Sequence, residues 1–189
     1  INLPITSCTF STVCTDNDEV GLMAATKIRQ KGYTEAAIFA SRHSYFATSQ
    51  RVQAFISSCE RLGIETDEKY ILKGSSTRNG GYEIGKQYAA LKEPPKMIFC
   101  DSDAIALGAL RAFHEEGISV PGDAELLSIG MLDPEAASYY VPSLSVVEMP
   151  NKEIGQQVLR LMRKKVLNND ISSEHVKVHA KLMLRESFS

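Results

Sequence analysis

The feature that most constrains this chain is a regular alternation of short apolar runs with segments of helical period. Each run is typical of a buried strand, and in each following segment the apolar residues recur at spacings of three and four. The predicted strands are 5–13, 36–40, 69–73, 97–100, 124–130 and 143–149, and the predicted helices are 16–31, 49–62, 82–91, 103–116, 134–140 and 150–166. Residues 174–187 alternate like one long or two short strands. Because repeated strand–helix units enclose a parallel sheet between helices, the sequence predicts an α/β fold with a doubly wound, mainly parallel sheet.

Length and composition exclude several classes of protein. The 189 residues, 43% of them hydrophobic, suit one α/β domain or one and a fraction. A net charge of -2 without a Lys/Arg-rich stretch argues against nucleic-acid binding by this segment, and no apolar run approaches the roughly 18 residues of a membrane span. Cys8, Cys14, Cys59 and Cys100 are widely spaced without a CxxC motif, which favours free thiols in a reducing cytosol. The start at Ile1, without an initiator Met, predicts a piece cut from a longer protein.

Polar residues follow the predicted strand 97–100 at its carboxyl end, where doubly wound sheets bind ligands. Asp101, Ser102 and Asp103 occupy this corner, and Asp103 begins the next helix. Asp103 is interpreted either as a first-turn or N-cap carboxylate or as a ligand-binding residue. A metal site would need further ligands nearby, and a catalytic triad is not supported because the GxSxG motif is absent from the sequence.

Three other motifs carry residue types that occur in binding sites. Arg51 lies in the first turns of the predicted helix 49–62, where its guanidinium could reach the sheet edge and bind hydroxyls or carboxylates; the alternative is a solvent-exposed arginine. The segment KGSSTRNGG lacks the Gly-Lys-Ser/Thr ending of a phosphate-binding loop, which favours an ordinary connection. His175 and His179 share a strand face without a third ligand, which favours surface histidines over zinc.

Six segments, taken in this order and spacing, resemble the effector-binding core of the lactose/galactose repressor (LacI/GalR) family. They are 51–55, 102–123, 126–133, 139–150, 153–162 and 182–187, and the resemblance covers nearly the whole chain. It implies a periplasmic-binding-protein-like (type I) core of two α/β subdomains with a small effector between them. Residues 1–15 would be a remnant of the first subdomain, 16–137 the second, 138–170 the crossover and helix of the first, and 171–189 the C-terminal strands of the second. The helix-turn-helix and most of the first subdomain would be missing, so the chain is expected to expose apolar surface.

The resemblance also implies a set of ligand-binding residues. Arg51 matches the effector-contacting arginine of an Arg-x-x-Gly-Phe pattern, in which Ala54 here replaces the glycine. Ser102 and Asp103 match an Asn-Asp pair whose first member often touches the effector. Phe99 lies where some members place an aromatic ring against the ligand.

The segment 130–133 departs from the family pattern. Leu132 stands where members commonly carry an acidic residue that binds sugar hydroxyls, and leucine accepts no hydrogen bond. Asp133 or Asp101 would compensate, or the ligand would be less polar. Phe46, in the loop before the Arg51 helix, is also assigned to ligand binding.

The implied function is the effector-binding and dimerisation portion of a cytoplasmic LacI-type transcriptional regulator. A small sugar or sugar derivative would close the cleft and shift a homodimer between operator-binding and released states. Operator DNA would be contacted through the missing helix-turn-helix, and no cofactor, membrane association or enzyme activity is expected. The alternative is a periplasmic solute-binding protein of a sugar importer, and a third class is an α/β enzyme such as a hydrolase.

Overall fold

The computed structural model describes residues 10–43, 46–130, 135–168 and 172–189, and these ranges form an α/β fold. The strands are β1 (Thr12–Thr15), β2 (Ala37–Ser41), β3 (Ile71–Gly74), β4 (Met97–Cys100), β5 (Glu125–Gly130), β6 (Ser145–Glu148), β7 (His175–Val178) and β8 (Lys181–Met183). The helices are α1 (Asn17–Gln30), α2 (Phe46–Leu62), α3 (Arg78–Ala89), α4 (Asp103–Glu116) and α5 (Asn151–Asn168).

The central sheet has six strands in the order β3-β2-β4-β5-β6-β8. The first five are parallel, and β8 runs antiparallel to β6 at the edge. The prediction of a doubly wound, mainly parallel sheet is therefore confirmed. Helices pack on both faces of β2, β4 and β5, so both faces need apolar residues, which explains the continuous apolar runs in the sequence.

Helices cover the two faces of this sheet and give two hydrophobic layers. One layer joins α1 and α2 to the sheet through residues such as Ile28, Phe55 and Phe99. The other joins α3 and α4 through residues such as Ile84 and Phe113. Successive residues of β2 and β4 alternate between the layers, as the two-residue period of a strand requires.

The helix ends show where local sequence signals were sufficient. Helix α4 has the predicted bounds because Ser102 caps its start and Gly117, with φ +73°, ends it in the left-handed conformation. Helix α3 begins at Arg78 rather than at residue 82, since Thr77 accepts a hydrogen bond from Gly80 N at 3.1 Å. The first turn of α3 is polar, so the apolar period could not detect it.

A second, two-stranded sheet pairs β1 with β7 in parallel, and α5 packs on it through Val13, Ile154 and Leu161. β7 and β8 thus lie in different sheets, although both fall within the predicted segment 171–189. Likewise, β6 belongs to the large sheet although it falls within the predicted crossover 138–170. Sequence spacing could not reveal the pairing of β1 with β7, because these two strands come from opposite ends of the chain. The division into two subdomains itself stays a prediction.

The last residues of the chain pack against the large sheet and form hydrogen bonds with it. Phe188 is fully buried against the α1–α2 layer, and Lys31 lies over its ring at 4.6 Å. The hydroxyl of Ser187 donates to Leu126 O and accepts from Ser145 N, both at 2.8 Å. Among the described residues, no helix has the length and apolar character needed to cross a membrane.

Candidate functional site

The carboxyl edge of the large sheet brings several polar groups together. Parallel pairing sets Ser41, the last residue of β2, beside the end of β4, where Asp101 follows. Gly74 ends β3 and Gly130 ends β5 on the same edge. Such an edge is where doubly wound sheets bind ligands, and Ser41, Asp101 and Ser102 all lie there.

Asp101 is a buried carboxylate held in one position. Its side chain is 1% exposed, its backbone N–H donates to Phe39 O at 3.0 Å, and its Oδ2 accepts from Ser41 N at 2.6 Å. Burial raises its pKa above the ordinary value of 3.8, whereas hydrogen bonds from Ser41 and Ser102 and the positive charge of Arg51 act in the opposite direction. The hydrogen bonds and the neighbouring cation thus favour the charged form that burial disfavours.

Arg51 is buried as well, with 1% of its surface exposed, so the solvent-exposed alternative is wrong. Its Nη2 donates to Thr48 Oγ1 at 3.1 Å, one turn earlier on α2. Burial lowers the pKa of the guanidinium, and the nearby Asp101 carboxylate raises it. Two of the predicted residues, one cationic and one anionic, are therefore both buried and interact electrostatically.

The corner that follows β4 corrects the capping interpretation. Ser102, not Asp103, is the N-cap residue: its Oγ accepts a hydrogen bond from Ile105 N at 3.4 Å. Asp103 is the first helical residue and is 6% exposed. At this position the positive end of the helix dipole stabilises a carboxylate. The first-turn reading of Asp103 is confirmed, and the N-cap reading is wrong because the preceding serine already has the extended backbone of a cap.

The two predicted aromatic residues lie in different environments. Phe99 is fully buried and stacks on Phe55 of α2, with ring centroids 3.9 Å apart and an interplanar angle of 9°. In this structure its ring faces the core, and because Phe55 follows Arg51 by one helical turn, the stack anchors the face of α2 that carries Arg51. Phe46, the first residue of α2, is 55% exposed. Asp133 and Leu132 lie outside the described residues.

A cavity of about 1010 Å³ lies along α2, away from the buried pair. It extends from the start of α1 to Lys177 of β7, and its lining includes Asp16, Phe46, Ser49 and Gln50. Arg51 and Asp101 do not line it. The cavity and the two buried charged residues are thus separate features, although α2 contributes residues to both.

Ser41 and Thr48, which form hydrogen bonds with Asp101 and Arg51 respectively, are not among the residues that the sequence predicts for the site. Ser41 directly follows a predicted strand, which is the signal that singled out Asp101, whereas no sequence signal identifies Thr48. Within the described ranges, no group of three or more His, Cys, Asp or Glu residues could hold a metal ion. His175 Nδ1 lies 2.8 Å from Thr12 Oγ1, and His179 faces Glu19.

Comparison with known proteins agrees with this architecture. The chain matches the family of periplasmic binding protein-like domains over residues 12–188. It is 27% identical over 192 residues to the HTH-type transcriptional repressor PurR of Mannheimia succiniciproducens, which covers 98% of this chain and 57% of that protein. The PurR repressor of Escherichia coli O1:K1 is also 27% identical, over 94% of this chain and 52% of its own length. The chain thus spans about half the length of the curated relatives it matches.

Solved structures have the same fold. A LacI family transcription regulator from Clostridium acetobutylicum superposes with a TM-score of 0.88 and 30% identity, covering 93% of this chain and 65% of that one. A LacI family regulator from Enterococcus faecium with bound ribose has a TM-score of 0.84, and the CelR regulator in complex with cellobiose has 0.86. The ribose-bound regulator is 20% identical and covers 97% of this chain and 67% of its own. CelR is 24% identical and covers 98% of this chain and 56% of its own. At these identities, the two structures show the fold alone. The chain belongs to the periplasmic binding protein-like domain family, and its core is that of the LacI/GalR regulators.

Proposed function

We propose that this chain is the effector-binding and dimerisation portion of a transcriptional regulator that acts in the cytoplasm. The observation that carries the proposal is the buried pair of Arg51 and Asp101 at the carboxyl edge of the sheet. Buried ionisable groups are costly unless they are compensated, and they concentrate at functional sites. Binding would occur without bond making or breaking, and the regulator would use the difference in ligand affinity between two conformations.

The effector of this proposal is a small sugar or a sugar derivative. Two structures of the same fold contain ribose and cellobiose, whose hydroxyl groups both donate and accept hydrogen bonds. Arg51 would donate to such hydroxyls, and Asp101 would accept from them. Ser102 and the exposed Phe46 would contact the ligand at the same carboxyl edge of the sheet. Asp133 is also proposed as a ligand-binding residue.

The complete regulator would be a homodimer that reads a palindromic operator. Two-fold operators require two-fold proteins, because each half-site contacts one DNA-binding unit. The names of the relatives support a regulator over the solute-binding protein of an importer, since the relatives are repressors with helix-turn-helix modules by name. An α/β enzyme is the weaker reading for the same reason.

The test uses the complete protein and the promoter region of its own gene. We expect a dimer in sedimentation equilibrium, binding to that DNA in a mobility-shift assay, and a changed bound fraction with a sugar that raises the melting temperature. Arg51→Ala should abolish the response to the sugar while DNA binding persists. Arg29→Ala, an exposed arginine at the end of α1, is the matched control and should behave like the wild type. A complete protein that never binds DNA, or whose DNA binding ignores every stabilising sugar, would refute the proposal.

A further inference from the structure

The chain passes three times between the small sheet and the large one, and each link is one or two residues long. Asp16 alone separates β1 from α1, Met149 and Pro150 separate β6 from α5, and His179 and Ala180 separate β7 from β8. Among the described residues, the buried apolar side chains of β1 and α5 form a cluster with β7 that is separate from the two layers on the large sheet. The orientation of β1, β7 and α5, here named the small-sheet unit, therefore depends on the contacts made at these links.

The carboxylate of Asp16 contacts both sides of this junction. Its Oδ1 accepts a hydrogen bond from Glu19 N at 3.4 Å and so caps α1, which packs on the large sheet. Its Oδ2 lies 3.0 Å from Nζ of Lys177 in β7. Burial acts to raise the pKa of Asp16, but the hydrogen bonds from Lys177 and Glu19 N outweigh it and hold the pKa below the ordinary value of 3.8. One charged group thus connects the start of α1 to the small-sheet unit.

A second contact crosses the junction about one turn further along α1. Both carboxylate oxygens of Glu19 lie 3.0 Å from Nδ1 of His179, in the link between β7 and β8. A different orientation of the small-sheet unit would move β7 relative to α1. Such a movement would separate Lys177 from Asp16, or Asp16 from the helix that it caps. These contacts therefore stabilise the orientation seen in this structure.

Asn17, the first residue of α1, acts in the opposite direction. It is 7% exposed, and its Nδ2 donates to Gln50 Oε1 at 3.1 Å. Its Oδ1 is buried, and no described residue donates a hydrogen bond to it. A buried acceptor without a donor destabilises the conformation that contains it. The junction thus combines contacts that favour this orientation with a group that disfavours it, so the loss of one ion pair can shift the balance.

The ion pair of Asp16 and Lys177 is accessible to solvent ions. The two side chains are 21% and 55% exposed, and both line the cavity along α2. Salt weakens such a pair, because the screening length falls from about 10 Å at 0.1 M to about 3 Å at 1 M. An exposed ion pair changes an equilibrium up to about fivefold. An effect of this size adjusts the ratio of two conformations and does not lock the molecule in one of them.

We propose that Asp16 is a positioning residue, whose ion pair with Lys177 holds the small-sheet unit in the orientation seen here and so biases the regulator toward one of its two conformations. The orientation is a property of this chain alone, whereas the bias between two conformations rests on the proposed function.

The experiment measures the distance between spin labels at Gln156 of α5 and Glu60 of α2, both exposed, in the complete protein. The labels are attached to unnatural amino acids, so the native cysteines stay in place, and double electron–electron resonance gives the distribution of distances. Asp16→Asn keeps an oxygen that caps α1 but loses the charge, and Lys177→Met keeps an apolar stem. We expect each substitution to shift or broaden the distribution. The double variant should match the single variants, because the ion pair is already absent from each.

The wild type provides the same test without any substitution. Its distribution in about 1 M salt should resemble that of Asp16→Asn in about 0.05 M salt, because screening removes the same attraction. At constant salt, Asp16→Asn and Lys177→Met should change the affinity for promoter DNA about two- to fivefold, both in the same direction.

Glu174→Gln is the matched control. Glu174 pairs with Lys164 at 2.7 Å, and the two side chains are 33% and 48% exposed, but this pair joins α5 to the residue before β7 and does not reach the large sheet. The substitution removes an ion pair of similar exposure and should change neither the distances nor the affinity for promoter DNA.

A distribution that neither the substitutions nor salt changes would overturn the inference, whatever the protein does with DNA. Changed distances with an unchanged affinity for promoter DNA would overturn the assigned bias. A wild type that binds no promoter DNA would refute the proposed function, and the distances would still decide whether the ion pair holds the small-sheet unit. The two ideas therefore fail separately.

Discussion

Two buried residues of opposite charge, Arg51 and Asp101, are the residues in this structure that local sequence rules explain least. Asp101 could be singled out because it follows an apolar strand, and Arg51 because it begins a helix after a polar loop. Whether Arg51 points into the protein or into solvent could not be decided from its spacing. Arg51 interacts electrostatically with Asp101, which follows β4 and lies fifty residues away along the chain.

The pH dependence of stability provides a test of the environment of Asp101. Burial raises its pKa in the folded state above the ordinary value of 3.8, so the folded protein retains this proton to higher pH than the unfolded chain does. The free energy of unfolding therefore decreases, through this group, as the pH rises from near 3.8 to the raised pKa. Asparagine does not titrate, so Asp101→Asn should gain stability relative to the wild type as the pH increases through this window.

The measurement is urea denaturation of both proteins at several pH values from about 4 to 7, with the difference in free energy plotted against pH. The size of the difference in unfolding free energy also contains the cost of leaving Arg51 without its counter-charge. The test therefore depends on how this difference changes with pH. A slope of the opposite sign would mean that Arg51 and Ser41 outweigh burial, and that the pKa of Asp101 is lowered instead.

At the scale of elements, close packing of α3 on α4 shows how small residues determine a helix pair. A methyl group placed on Gly108 of α4 would lie 1.9 Å from Arg78 O, and one on Gly81 of α3 would lie 2.1 Å from Ile105 O. The contacting atoms belong to the backbone and cannot move aside independently. The two helices approach this closely only because both positions lack a side chain.

Gly108→Ala should therefore destabilise the protein although alanine is the better helix former. We expect a loss of at least about 1–3 kcal/mol from overpacking, measured by urea or thermal unfolding. Gly155→Ala on α5 is the matched control, because nothing lies within 4 Å of a methyl group there. That change should stabilise by about 0.5–1 kcal/mol through helix propensity. Equal effects of the two substitutions would show that propensity, not interhelical contact, governs both sites.

For the whole molecule, α5 has an apolar face that the described residues do not cover. Leu159, Met162 and Val166 are 69%, 58% and 78% exposed, at the spacing of one helix face. A different face of α5 packs on the small sheet of β1 and β7. The expectation that this chain exposes apolar surface is therefore confirmed for α5.

The chain of residues 1–189 expressed alone should associate through this face. Sedimentation velocity across a series of concentrations should show a rising sedimentation coefficient, because contiguous exposed apolar surface favours self-contact. The double variant Leu159→Lys and Val166→Lys should suppress this behaviour with unchanged far-UV circular dichroism. Leu22→Lys, at an exposed apolar position on α1, is the control and should associate like the wild type. Concentration-independent sedimentation of the unmodified chain would contradict the prediction.

The sequence by itself determined the α/β class, the parallel sheet, the bounds of β4 and α4, and the edge at which polar residues gather. These features follow from apolar period, capping residues and glycine stops, which act over a few residues. Tertiary structure alone decided that β7 pairs with β1 and that Arg51 and Asp101 are both buried. The physical reason is that strand pairing and burial depend on groups brought together from distant parts of the chain, whose energies no local pattern contains.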